Sequence, residues 1–310
     1  MIARTVTGER HVARWTKDLL HENSKGAIPI TEPGRLRFLE SLAQPPVAAA
    51  LNIAGRIHQE QTRRIKEDPY INHPLEVAYY CDYYVARHPG VIDRPDILNA
   101  GALLHDVVEM HPDNRSISDN GGSLIKNLPQ LGYNATNLYN DLVGQRVEYD
   151  DALGICDLVI QETPLLEDDK ELIEYHNSSI LAMPHLLDRD QEITAAEELQ
   201  WRRRKRADLV RILEVVSPEL DYLKPLLVMI KVADILANLR ESVRDVVAEI
   251  DTGNSDALPS LVRRQRMFAD RLTILREFIA HDYVHTPFEP LFQDMLRDME
   301  TALGELRGLI

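Results

Sequence analysis

From Val47 onward the sequence repeats one pattern: long runs of apolar residues spaced three and four apart, with no set of alternating strands. A chain with that period buries its apolar stripes by packing helix on helix, so the expected fold is all-α. The runs read as helices near 47–65, 74–87, 95–111, 134–145, 150–162, 169–182, 193–215, 219–249, 256–282 and 288–308. Residues 1–46, broken by Pro29, Pro33 and the pair Pro45-Pro46, read as an N-terminal helical extension. Residues 47–250 form the expected main domain, and 251–310 a C-terminal helical extension packed on it. The stretch from His111 to Tyr133, with three glycines among polar residues, reads as a long loop.

At 310 residues and 44% hydrophobic content the chain can fill a sizeable core without staples. Its two cysteines, Cys81 and Cys156, have no CxxC spacing and suggest neither a disulfide framework nor a zinc ribbon. The N-terminus lacks the apolar core of a signal peptide, and no stretch approaches the ~18 charge-poor residues of a membrane span. A soluble, cytoplasmic protein without membrane partners is expected. The formal charge of -15 argues against sequence-independent binding of nucleic acid, which needs surplus Lys and Arg to neutralise phosphates. A phosphorylated small molecule would need a metal or a local basic cluster to overcome the same field.

Three segments carry chemistry. In the first, residues 97–110 are apolar or small on nearly every side until His105, Asp106 and Glu109. An ionised carboxylate in such a helix is costly unless paired or bound to metal. Helical spacing sets Glu109 one turn beyond His105. An interior His–Asp hydrogen bond with Glu109 at a wet helix end is the plainer alternative. In the second, residues 225–243 are again nearly all apolar, interrupted by Lys231, Asp234 and Asn238 on one face. A buried Lys231–Asp234 ion pair capped by Asn238 would explain that helix alone. Two buried helices that each present a carboxylate on a polar stripe point jointly to a shared cation. In the third, Pro74 holds His73 extended at the entrance to a helix, where its ring can turn inward. Upstream, Arg63, Arg64 and Lys66 make a basic run, and WRRRKR at 201–206 makes another. Each such run also reads as a solvated helix face.

Together these segments resemble the HD-domain hydrolases of the RelA/SpoT alarmone family, including its stand-alone hydrolases. The resemblance rests on Arg63 and Arg64 ahead of Pro69, Tyr70, Ile71, Asn72, His73 and Pro74. It continues through Ala102, Leu103, Leu104, His105 and Asp106 with Glu109, and then through Lys231, Asp234 and Asn238. It spans about residues 55 to 240 and implies an HD-type helical bundle. It implies a divalent cation, usually manganese in that family, held by His73, His105, Asp106 and Asp234. Glu109 would then orient or deprotonate the attacking water, and Arg63, Arg64, Lys66, Lys231 and Asn238 would contact a phosphorylated nucleotide. The implied reaction removes the 3′-diphosphate of guanosine tetra- or pentaphosphate or of a related nucleotide. The family's Glu-Asp pair stands here as Glu109-Met110, with Asp113 the nearest replacement for the second acid. Two other readings stay open: a nucleotide-binding sensor with weakened turnover, and an HD phosphodiesterase or nucleotidase of other specificity.

Overall fold

A computed structural model describes residues 31–59, 61, 69–107, 135–162, 222–251 and 257–309. Among these residues the regular structure is nine α-helices with no sheet: α1 (Glu32–Leu42), α2 (Pro45–Ile57), α3 (Asn72–Arg87), α4 (Pro95–Leu104), α5 (Ala135–Gly144), α6 (Tyr149–Glu162), α7 (Lys224–Asp251), α8 (Ala257–Asp282) and α9 (Glu289–Arg307). The all-α expectation holds. None of these helices is long and apolar enough to cross a membrane. The expected loop at 111–133 and the expected helices 169–182 and 193–215 lie outside the described residues.

Proline opens helices here more often than it breaks them. Pro33, Pro45, Pro95 and Pro290 occupy first or second helical positions, where the missing N–H costs nothing and the fixed φ is already helical. The reading of Pro33 as a breaker is therefore corrected: Thr31 caps α1 by accepting from the Gly34 N–H at 3.2 Å, and Pro33 sits in the first turn. Two expected helices also end early. The run 47–65 stops at Ile57, with His58 as its C-cap, and the run 95–111 stops at Leu104, with His105–Val107 in a turn.

Helix α4 is the axle of the bundle. Every residue from Ile97 to Leu104 is buried, because α2, α3, α6 and α7 all pack around it. Gly101 makes the closest approach possible: a Cβ there would stand 3.1 Å from both Ile230 Cδ1 on α7 and Leu158 Cδ1 on α6. His105 lies one turn beyond Gly101, and Asp234 one turn beyond Ile230. The absent side chain thus lets α4 lie close to α6 and α7 one turn ahead of those two groups.

Helix α3 is fixed to α7 by polar contacts inside the core. Tyr80 donates from its hydroxyl to Glu76, Arg240 Nη1 donates to the Tyr80 oxygen at 2.7 Å, and Arg244 Nη2 pairs with Glu76 Oε2 at 3.2 Å. Burial pushes the Glu76 carboxyl up, yet Arg244, Arg240 and the Tyr80 hydroxyl outweigh it and hold it below its ordinary value. Beyond α7, α8 and α9 pack on each other and on α7, and α9 also reaches α3, where Tyr84 donates to Asp298 at 2.7 Å.

Candidate metal centre

Two helix ends and one helix middle bring the ionisable groups together. His73 is the second residue of α3, so the extended conformation expected from Pro74 is corrected: the first helical turn accommodates both residues, and the His73 N–H donates to the Tyr70 carbonyl at 3.0 Å in the turn that leads into the helix. His105 and Asp106 follow directly on α4. Asp234 sits mid-way along α7. Both histidines and Asp234 are buried, and Asp106 is half-buried.

The donor atoms of His73, His105 and Asp106 all lie within 4.8 Å of one another. His73 Nε2 is 3.7 Å from Asp106 Oδ2 and 3.1 Å from Asp234 Oδ1. His105 Nε2 is 3.2 Å from Asp106 Oδ1 and 3.9 Å from Asp234 Oδ1. Ligands at about 2.1 Å from one ion stand about 3.0–3.4 Å apart in octahedral or tetrahedral geometry, so these spacings suit one coordination shell.

The chemistry of the donors fits a cation as well. His105 Nδ1 lies 2.7 Å from the Ala102 carbonyl, which can only accept, so Nδ1 carries the proton. Nε2 is then the atom turned to the carboxylate oxygens: as imidazolium it carries a proton toward them, and once that proton leaves it offers a lone pair that a cation can take. Lone pairs converging in a buried space repel unless a positive charge sits between them. Burial pushes the Asp106 carboxyl up, yet His105, His73 and the Tyr70 hydroxyl outweigh it and hold it well below the usual carboxylate range. Burial likewise opposes ionisation of Asp234, and Lys231, His73 and His105 overcome it. Both carboxylates are thus favoured in the charged form, which metal binding would require.

Lys231 and Asn238, read from sequence as contacts to a nucleotide, both reach Asp234. Lys231 Nζ is 3.3 Å from Oδ2, and Asn238 Nδ2 donates to Oδ1 at 2.5 Å. The ion pair that offered a plainer explanation of this helix is present, and it coexists with the two imidazoles on the same carboxylate. Arg63, Arg64, Lys66, Glu109, Met110, Asp113 and the run 201–206 lie outside the described residues.

Two residues of the centre's surroundings escaped the sequence reading as site residues. Tyr70 donates its hydroxyl to Asp106 Oδ2 at 2.7 Å. His58, buried at the end of α2, packs its ring against Tyr70 with centroids 4.8 Å apart. Tyr70 was visible within the PYINHP motif, but nothing in spacing says that its phenol turns to Asp106. His58 carries no signal beyond lying just ahead of the basic run.

Comparison with known proteins finds a family for the segment that carries these groups. A family model for the HD domain matches residues 70–239, more than half of the chain and a span that contains all four groups. The chain is 44% identical over 64 residues to guanosine-3′,5′-bis(diphosphate) 3′-pyrophosphohydrolase MESH1 of Xenopus tropicalis, a match covering 20% of this chain and 32% of that relative. The similarity thus spans about a third of the relative's length. No solved structure matches significantly.

Proposed function

The chain belongs to the HD domain family, and from that membership we propose that it is a metal-dependent phosphohydrolase that removes the 3′-diphosphate of guanosine tetra- or pentaphosphate or of a related nucleotide. The observation that carries the reading is the meeting of His73, His105, Asp106 and Asp234 in one buried space inside the family match. The partial likeness to a 3′-pyrophosphohydrolase supports the substrate class.

In this reading the two imidazoles and two carboxylates hold one divalent cation, and the mixed nitrogen and oxygen set suits manganese. Such a cation supplies Lewis acidity toward a phosphoryl oxygen and makes water easier to deprotonate. Glu109, three residues after Asp106, is the group assigned to take the proton from the attacking water, with Asp113 standing in for the family's second acid. Arg63, Arg64 and Lys66 grip the phosphates and the base, since a guanidinium can bind phosphate in two places or stack on a ring. Lys231 and Asn238 hold Asp234 in place, and Lys231 lends positive charge to the same cleft in a protein that is acidic overall.

A second reading, a nucleotide-binding sensor with weakened turnover, draws on one feature, Met110 where the family carries an acid. Incubation of the manganese-loaded protein with guanosine tetraphosphate, other nucleotides and a phosphodiester separates the two. Pyrophosphate release from guanosine tetraphosphate, lost in Glu109→Gln with metal retained, is the expected result. Tight nucleotide binding without pyrophosphate or phosphate release would overturn the hydrolase and favour the sensor.

A further inference from the structure

Asp106 is held from outside the ligand set by a short chain of contacts that begins at His58. His58 follows α2 directly, and its N–H closes the helix on the Ala54 carbonyl at 2.9 Å. Its Nδ1 lies 2.8 Å from Gln61 Oε1, an acceptor, so Nδ1 donates and the ring cannot flip without losing that bond. Burial lowers the basicity of the ring against the smaller opposing effects of Gln61 and Asp106, so the imidazole is neutral. A neutral aromatic ring fixed in this way forms a flat wall, and Tyr70 rests on it at an interplanar angle of 35°. Backbone contacts brace the same corner, with the Gln61 N–H donating to the His58 carbonyl at 3.1 Å and the Tyr70 N–H to the Gln61 carbonyl at 2.9 Å.

We propose that His58 is a positioning residue for the metal centre that acts through Tyr70. Its locked ring holds the phenol where the hydroxyl occupies Asp106 Oδ2, which leaves Oδ1 turned toward His105 Nε2 and the cation. The hydroxyl bond at 2.7 Å and the 3.2 Å approach of Oδ1 to His105 Nε2 define that division between the two oxygens. Groups that orient a metal ligand in this manner are worth about 10–100-fold in metal affinity. The inference rests on the metal-centre reading above and adds to it two residues, His58 and Tyr70, and the route by which they act.

The test is a double-mutant cycle read as Mn2+ affinity of the full chain, by competition with a fluorescent chelator and without any nucleotide. Tyr70→Phe, His58→Leu and the double variant are compared with the wild type, and the thermal midpoint of each is measured in chelator alongside. Expected are losses of about 10–100-fold for each single variant and a double variant no more than about 3-fold weaker than Tyr70→Phe, because the proposed route from the His58 ring to Asp106 runs through Tyr70. Gln61→Leu, which removes only the lock on the ring, should weaken binding in the same direction by a smaller factor. It carries the cycle with Tyr70→Phe if His58→Leu does not fold. Losses that multiply in the double variant, or a drop in chelator-state stability with unchanged affinity, would mean that His58 is only a core residue. A wild type that binds no divalent cation would remove the metal-centre reading itself and this proposal with it.

Discussion

Replacing Asp234 with Asn keeps volume and shape at a buried position of α7 and removes one charge. That carboxylate is the group met by both imidazoles, at 3.1 and 3.9 Å, so its loss acts on the whole ligand set. Partners outside a ligand set are worth 10–100-fold in affinity, and a charged ligand should cost at least the upper figure, about 100-fold. With free cation at 100 times the wild-type Kd, binding stabilises the folded state by about 2.7 kcal/mol. At the same concentration the variant is only half-saturated, and RT ln 2 leaves about 0.4 kcal/mol. At roughly 2–4 °C per kcal/mol, the metal-induced rise in Tm shrinks from about 5–10 °C to about 1 °C. The assay is thermal unfolding of wild type and Asp234→Asn in chelator and across a Mn2+ titration. An equal metal-induced rise in both proteins would refute the assignment of Asp234 as a ligand.

Two further outcomes follow from the packing. Glu76→Gln breaks a buried carboxylate–guanidinium contact and should cost about 3 kcal/mol at pH 7, in the range for a buried pair that loses one partner. Because the folded pKa of Glu76 is depressed, its contribution is full above the unfolded value of about 4.3 and is lost as pH falls through the folded value. The difference in urea midpoint between wild type and variant should therefore narrow below about pH 4.3, and a constant difference would show that the charge is not responsible. Gly101→Val forces side-chain atoms into the space between α4, α6 and α7 and should destabilise by about 1–3 kcal/mol. It should also weaken metal binding by moving His105 away from Asp234. Unchanged affinity in a folded Gly101→Val protein would show that the close approach does not govern the centre.

The candidate metal centre was legible in the sequence wherever a polar group interrupted an apolar run. Asp234 stands out between Ala233 and Ile235, and His105-Asp106 after Leu103-Leu104, because burial leaves such groups few alternatives to a partner. Periodicity gave α3, α6, α8 and α9 within a few residues, since each carries its own apolar stripe. It overran α2, whose polar continuation after Ile57 still resembles an exposed helix face. It gave no bounds for α1, which falls inside the helical extension expected over 1–46, because Pro33 reads in isolation as a breaker. His58 and Tyr70 stayed hidden for a different reason. Their role is a ring-to-ring contact across a chain reversal, and no local spacing encodes which way a phenol turns. For Lys231 and Asn238 the shared face was readable, but their common target was not: i, i+3 and i, i+4 neighbours of an aspartate can bond it or look past it.

The contacts that join α3 to α7 also say when in folding the centre can exist. Tyr80 meets Arg240 across 160 residues of chain, and Glu76 meets Arg244 across 168. Closing loops of that length is an entropic cost met before any contact across them is rewarded, and non-local contacts of this kind slow a folding search. His73 and Asp234 ride on those same two helices, so no partly folded chain that lacks the α3–α7 junction can offer a cation its full set of ligands. A cation held by this set would enter only after that junction has formed, which makes the recovery of metal affinity during refolding a clock for closure of the α3–α7 loop.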